Sequence, residues 1–494
     1  MKLPQRFLIT LGLVLIFYLF SGSDYPNQNG KTTDKRPNIL FCIADDWGWP
    51  HAGVYGDAVV QTPVFDKLAK EGVLFNHAYV SSPSCTPSRS AILTGQYHWQ
   101  LGESANLWST MDVEIPVYPL LLEDSGYHVG HWRKCWGPGN LKAGGYVDKH
   151  PGGQNYQNGF GEFLKSRPEG EPFCFWLGAS DPHRPYKKGV GKESGIDIDK
   201  VLVPDFYPDV PEIRSDIADY YFEVQRFDRD VGNAIKMLEE IGELENTIIV
   251  MTGDHGMPFP RCKSNLYDMG VRVPLAIRWG EKVKGNRQIE DFVSLTDLAV
   301  TFLGAAGIDI PEQMSGRSLE PILLSDKEGW IEAERDHVIF GKERHTPAQL
   351  APSTKGYPSR GIRTKNYIYI RNIYPELWPA GVPEGATHPL NSFADSDNGP
   401  TKTFLMEHAN EPEYKRFYQW SFAKRPAEEL YDITTDPYQL HNLADSPAYA
   451  SIKKDLSNKL NARLRTTKDP RIIGGGEKFD NYPYRAGYKL RTGK

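Results

Sequence analysis

Cysteine is scarce in this 494-residue chain, positive charge is not in excess, and no internal repeat is visible. Five cysteines (Cys42, Cys85, Cys135, Cys174 and Cys262) are too few for a disulfide scaffold at this length. Their odd number leaves at least one unpaired or modified. Lys and Arg total 57 against 63 Asp and Glu, a formal net charge of -6. That balance argues against a nucleic-acid partner, yet it leaves room for a local cationic pocket around a small anion. With 39% apolar, 24% charged and 12% aromatic residues, the composition excludes wholesale disorder. The length suffices for a large domain and a smaller one.

One long apolar run does occur, at the N-terminus. Lys2 and Arg6 precede "FLITLGLVLIFYLF", and "SGSD" follows with small residues. This pattern predicts a cleaved signal peptide over residues 1–23 and a periplasmic or secreted mature protein, meeting the membrane only during export. An uncleaved anchor is the alternative. No cysteine closes the apolar core, so lipid attachment there has no acceptor.

Beyond a polar linker (Asp24 to Arg36), short apolar runs alternate with amphipathic segments. "PNILFCIADDWG", "PFCFWLGASDPHRP" and "NTIIVMTGDHG" each read as a buried strand ending in polar residues. "TPVFDKLAKEG", "PLLLEDSG" and "SDIADYYFEVQRFDRDVGNAIKMLEEIG" read as helices between them. Such alternation predicts an α/β fold with a mostly parallel sheet. Past roughly residue 330 the texture changes to β segments ("GYPSRGIRTKNYIYIRNI", "EELYDITTDP"), a Pro/Gly/Asn-rich stretch and a terminal amphipathic helix. The expected division is a main domain over 36–330, a smaller α+β domain over 331–475, and a loosely ordered tail over 476–494. Cys42 and Cys174 lie in apolar runs and are expected as small buried hydrophobes.

Ligands of open α/β sheets gather at the C-terminal edge of the strands. Asp45, Asp46, His183, Asp254 and His255 all follow strand ends and are expected to converge there. Three carboxylates and an imidazole suit a hard divalent cation such as calcium or magnesium; a solvated Asp pair at a turn is the plain alternative. Arg89, Lys134, His183 and Lys263 are solvated charges if taken singly. Around a metal they would form a pocket for a tetrahedral oxyanion, sulfate or phosphate. A thiolate at Cys85 has no evident use beside hard ligands.

"CTPSRSAILTG", Cys85 to Gly95, resembles the signature of the type I sulfatase family, Cys-x-Pro-Ser-Arg followed by Thr-Gly. "RPNILFCIADDWG" and "TGDHG" resemble the family's two metal segments, Asp45 with Asp46 and Asp254 with His255. "SDPHRP" is similar to the segment of a sulfate-contacting histidine, here His183, and "PRCKSNLYDMGVRVPL" to that of a lysine, here Lys263. "GRSL" and "EELYDITTDP" match second-domain markers. The resemblance is strongest to the heparan N-sulfatase (sulfamidase) branch and related bacterial polysaccharide sulfatases.

The resemblance implies an alkaline-phosphatase-like superfold: a large mixed, mostly parallel sheet flanked by helices, plus a smaller C-terminal α+β domain. It implies that Cys85 is converted during export to formylglycine, an aldehyde held as its hydrate. A formylglycine-generating or anaerobic sulfatase-maturing enzyme would be the partner for that step. One Ca2+ (or Mg2+) would be held by Asp45, Asp46, residue 85, Asp254 and His255. Arg89 and Lys134 would neutralise charge, with His183 and Lys263 on sulfate oxygens and the leaving group. One departure stands out: in "GYHVGHWRKCWGPG", Lys134 matches the family's Gly-Lys-x-His, but Trp136 stands in place of the histidine and Arg133 in place of the glycine.

The expected activity is removal of sulfate esters from a poly- or oligosaccharide, such as an algal polysaccharide like ulvan or a glycosaminoglycan. N-sulfoglucosamine hydrolysis, phosphate-ester hydrolysis on the same superfold, and non-catalytic glycan binding are the alternatives. For substrate contacts, Arg344 and His345 in "GKERHTPAQ" are expected on an exposed loop, with Trp47, Trp99, Trp108 and Tyr357 as candidate stacking surfaces.

Overall fold

Asn38–Ala44, Phe173–Gly178 and Thr247–Gly253 are apolar almost throughout, as strands must be when both faces are covered. The computed structural model describes residues 35–350, 352–385 and 392–486, and in it these runs are adjacent. Successive side chains point to opposite faces. Ile39, Phe41 and Ile43 pack with Trp176 and Val250 on one side, and Leu40 and Cys42 with Phe175 and Met251 on the other.

The sheet has eight strands in the order Gln154–Asn155, His128–Arg133, Phe173–Gly178, Asn38–Ala44, Thr247–Gly253, Leu275–Trp279, Val73–Phe75, Arg287–Ile289. Leu275–Trp279 runs antiparallel to both neighbours and every other pairing is parallel. Helices cover both faces. Pro211–Glu240 lays Ile213, Ile217, Tyr220, Val224, Phe227 and Val231 on one, at the three- and four-residue spacing of an amphipathic helix. Asp297–Ala305 and Cys85–Thr94 close the other through Leu298, Phe302, Ile92 and Leu93. This is the expected α/β architecture.

A second sheet, antiparallel and four-stranded, follows in the order His337–Lys342, Ser359–Thr364, Tyr367–Asn372, Glu428–Asp432. Val338, Phe340, Ile368 and Ile370 join the main core, while Ile339, Ile362 and Tyr369 meet Leu456, Leu460 and Leu464 of helix Ala450–Thr466. A loose tail is predicted for 476–494, but its described part is packed. Phe479 is buried, Asp480 pairs with Arg471 at 2.8 Å, and Arg485 with Glu103 at 2.9 Å. One aromatic and two ion pairs outweigh the Gly- and Tyr-rich composition that suggests looseness.

All five cysteines are buried and unpaired, so Cys135 and Cys262 resemble Cys42 and Cys174 in burial despite their polar sequence surroundings. The signal-peptide segment 1–23 lies outside the described residues, as does the tail from 487. Among the described residues no helix is long and apolar enough to cross a membrane.

Candidate active site

Because four neighbouring strands are parallel, their C-terminal ends share one edge. Ala44 leads to Asp45 and Asp46, Arg133 to Lys134, Gly178 to the loop bearing His183, and Gly253 to Asp254 and His255. Asp46 adopts φ 77, a conformation costing a non-glycine residue about 1–3 kcal/mol. Its N–H is held there by Asp254 Oδ1 at 2.8 Å. A Cβ on Gly253 would fall 2.0 Å from the Trp47 carbonyl oxygen, so glycine is required for the two loops to cross.

Cys85 opens a ten-residue helix, Cys85–Thr94, in which every residue is buried. A buried helix with so many polar residues must satisfy each of them, and it does so by fastening the strand-end loops. Thr86 Oγ1 donates to the Pro138 carbonyl (2.6 Å) and Ser88 Oγ to the Asp254 carbonyl (2.6 Å). Arg89 reaches furthest: Nε to Asp254 Oδ2 (2.8 Å), Nη2 to Asp45 Oδ1 (3.2 Å) and Nη1 to the Lys134 carbonyl (2.6 Å). Ser84 does not cap the helix with its side chain; its hydroxyl lies 2.8 Å from His345 Nδ1.

Lys134, Lys263 and His183 also lie beside the acids. Lys134 Nζ lies 2.6 Å from both oxygens of Asp45, and Lys263 Nζ lies 2.8 Å from Asp46 Oδ2 and 3.0 Å from Asp397 Oδ2. His183 Nε2 stands 3.9 Å from Asp46 Oδ2. Burial opposes ionisation of Asp45, but Lys134 and Arg89, with His183 and Lys263 behind them, outweigh it and hold the carboxyl well below the usual range. Burial likewise opposes the charge on Lys263, yet Asp397 and Asp46 hold it well above an ordinary lysine. At Cys85 burial wins: the thiol is pushed up to about 12, although Lys134 and Lys263 pull the other way. A thiol so placed is not a nucleophilic thiolate at neutral pH.

The acids and His255 fit a hard cation. His255 Nδ1 lies 3.1 Å from the Gly256 carbonyl; a carbonyl only accepts, so Nδ1 carries the proton and Nε2 presents a lone pair. That Nε2 is 3.2 Å from Asp46 Oδ1 and 3.3 Å from Cys85 Sγ. Asp46 Oδ1 is buried with no hydrogen-bond partner, an arrangement that is costly unless a cation meets the oxygen. Donor atoms of Asp46, Cys85 and His255, and of Asp45, Cys85 and Asp254, lie within 4.8 Å of one another in each triplet.

Above this cluster opens a cleft of about 600 Å³, lined by Asp45, Cys85, Lys134, Trp136, His183 and Lys263 from the main domain, and by His345 and Asp397 from the C-terminal part. Trp136, where the resemblance expects histidine, is a cleft wall whose indole N–H donates to Ser90 Oγ at 2.7 Å. Trp108 also lines the cleft. Trp47, Trp99 and Tyr357 do not, being almost wholly buried in the protein.

The exposed cationic loop expected at Arg344 and His345 is not what forms, since both side chains are buried. Arg344 turns away from the cleft and donates to the carbonyls of Thr354 (3.2 Å), Tyr482 (2.9 Å) and Pro483 (3.1 Å). His345 does face the cleft, but burial pushes its imidazole down to about 3, leaving it neutral. The difference has a physical source: the chain at 482–483 folds over Arg344, and its carbonyls need a donor. Arg344→Ala is therefore expected to lower stability by about 1–3 kcal/mol, the cost of unsatisfied buried acceptors. KM for an anionic substrate should not rise; urea denaturation and steady-state kinetics check the two halves. Asp397 is a charged lining residue that no sequence pattern indicates, because it sits in the Pro/Gly/Asn-rich stretch without a motif.

Comparison with known proteins bears on this site. A sequence model of the sulfatase family matches residues 37–308, and one of the N-sulphoglucosamine sulphohydrolase C-terminal region matches 253–378. The chain is 30% identical to the human N-sulphoglucosamine sulphohydrolase over 487 residues, covering 88% of this chain and 91% of that protein. It is 27% identical to an ulvan-active sulfatase of Formosa agariphila over 496 residues, covering 93% and 88%. In fold it is similar to a structure solved in complex with its substrate D-glucosamine-2-N,6-O-disulfate (TM-score 0.60, 20% identity, 88% of this chain and 99% of that one).

Proposed function

Since the chain belongs to the sulfatase family and is a sulfuric ester hydrolase of alkaline-phosphatase-like fold, we propose that it removes sulfate from a sulfated oligo- or polysaccharide, using formylglycine made from Cys85 and one calcium ion. The observation that most supports this reading is the position of Cys85. It opens a buried helix at the floor of the cleft, 3.3 Å from His255, with Arg89 of the same helix bridging Asp45 and Asp254.

Asp45, Asp46, Asp254 and His255 would hold the cation, which supplies Lewis-acid stabilisation of developing negative charge. Formylglycine at position 85 would supply, as its hydrate, a nucleophilic hydroxyl and a second hydroxyl for the release of sulfate. The chain's own residues do the rest. Lys134 and Lys263 each carry three N–H groups, and the cleft-facing ones bind sulfate oxygens. His183 Nδ1 donates to the Arg184 carbonyl at 2.5 Å, so its Nε2 can pass a proton to the leaving oxygen only from the doubly protonated imidazolium, in which both ring nitrogens are donors. Arg89 fixes the two carboxylates and keeps positive charge beside position 85. Trp136 excludes water from that side.

The relatives supply two candidate linkages. The ulvan-active sulfatase favours O-sulfate on a polysaccharide, the leading reading here. The match of residues 253–378 to the N-sulphoglucosamine sulphohydrolase C-terminal region favours N-sulfate on glucosamine as a second. The N-terminal segment fits export, with conversion of Cys85 by a maturing enzyme on the way.

The test is co-expression with such an enzyme, mass spectrometry across Ser81–Arg89, and sulfate release from ulvan and glycosaminoglycan oligosaccharides, N-sulfated glucosamine and a phosphate ester. An aldehyde at position 85 is expected, with O-sulfate released fastest. Chelation should lower the rate about 1,000-fold, the scale of losing metal-based charge stabilisation, and calcium should restore it. An unmodified Cys85 with no sulfate released, or faster turnover of the phosphate ester, would overturn the reading.

A further inference from the structure

The cleft contains an acid that no strand end supplies. Asp397 lies in the segment before helix Pro400–Glu407, and residues on either side of it are held by hydrogen bonds. Lys402 Nζ donates to the carbonyls of Phe393 (3.0 Å) and Ser396 (2.7 Å) and to Asn398 Oδ1 (3.1 Å). Asp395 accepts from Thr346 N (2.8 Å), Thr346 Oγ1 (2.6 Å) and Lys342 Nζ (3.2 Å). Five side chains (Lys402, Asn398, Asp395, Thr346 and Lys342) therefore hold this short segment beside the cleft. The Asp397 side chain is 28% exposed there, with Oδ2 on Lys263 and His345 lining the same wall.

A carboxylate beside a sulfate-binding lysine works against anion binding, because like charges repel at short range. Holding Lys263 in place does not explain it, since Asp46 already does so at 2.8 Å. The acid gains a use if the substrate brings a hydrogen-bond donor to it. A sulfate bound by Lys263 would bring a neighbouring ring substituent within reach of the acid that shares that ammonium group.

We propose that Asp397 determines specificity: its carboxylate accepts a hydrogen bond from a hydroxyl or ammonium group on the sugar carbon beside the one bearing the sulfate. This rests on the sulfated-carbohydrate reading above. A site built to bind a substrate donor discriminates strongly against analogues without it, because its own polar group is then left unpaired. An aryl sulfate, which carries no such donor, is the internal reference.

The experiment compares wild type, Asp397→Ala and Asp397→Asn on 4-nitrophenyl sulfate and on the sulfated oligosaccharide that wild type hydrolyses fastest. For Asp397→Ala the ratio of kcat/KM, sugar over aryl sulfate, is expected to fall about 100-fold, most of it through KM. Asparagine keeps an accepting oxygen without the charge. A smaller loss for Asp397→Asn than for Asp397→Ala marks a hydroxyl as the donor; equal losses mark an ammonium. Equal falls on both substrates would mean that Asp397 acts only through Lys263 and would overturn the proposal alone. So would Asp397→Ala with wild-type kcat/KM on both substrates. Wild type that hydrolyses the aryl sulfate but no sugar sulfate overturns the carbohydrate reading, and this proposal with it.

Discussion

Cys85→Ser is expected to lower kcat for sulfate release by about 10,000-fold or more, the scale seen when the reacting group of a concerted site is removed. Serine has nearly the shape of cysteine, and His255 Nε2, 3.3 Å from the sulfur, can meet its hydroxyl. The substitution should therefore cost the fold no more than about 1 kcal/mol. On the proposed mechanism it removes the precursor of an aldehyde hydrate, which would offer one oxygen for attack and another to drive sulfate out. A serine offers only the first. Sulfate release measured beside thermal unfolding separates the chemical loss from a structural one. Cys85→Ser retaining a tenth of wild-type activity would show that no aldehyde is needed.

Arg89→Met should produce the largest loss of stability from any single change in the cluster. The guanidinium is fully buried and contacts Asp254 at 2.8 Å and Asp45 at 3.2 Å. Methionine fills most of its volume but leaves two buried carboxylates facing each other. Breaking a buried ion pair in this way costs about 3–5 kcal/mol. The sign of the metal effect follows from the same charges: a divalent cation offsets part of the repulsion, so the loss should be larger in chelator than in excess calcium. Urea denaturation under the two conditions measures both quantities. A loss below about 1 kcal/mol in chelator would mean that the pairing contributes little. Activity should also vanish, because Arg89 fixes the carboxylates proposed to hold the cation.

Much of this cluster is legible in the amino-acid order itself. Unbroken apolar runs such as Asn38–Ala44 and Thr247–Gly253 identify doubly covered strands, and parallel strands share a C-terminal edge. Asp45, Asp46, Asp254 and His255 are accordingly brought together from positions far apart in the chain. Lys134 and His183 follow by the same rule. Arg89 is legible for another reason: four residues after Cys85 it lies one helical turn away, on the same face.

Local sequence misleads where it does not record which surfaces the chain covers. Arg344 has the surroundings of a surface cation, and only the return of the chain at 482–483 turns it into a buried donor to carbonyls. Phe479 and Arg485 look loose for the same reason, since their partners, among them Glu103, are remote in sequence. Asp397 shows the converse case. Nothing in a Pro/Gly/Asn-rich stretch marks one acid among others, and it gains meaning only when Lys402 and Asp395 fasten the segment over the cleft.

The amino-acid order alone therefore determined the α/β layering, the strand ends that carry the acids, and the motif around Cys85, because these depend on periodicity and short spacing. The tertiary structure decided the far wall of the cleft. It made Trp136 a wall tied to Ser90, His345 a neutral neighbour of Ser84, and Asp397 an acid on Lys263. Those contacts join segments through long loops, whose paths are set by which buried donors and acceptors must find partners, and no local pattern records that.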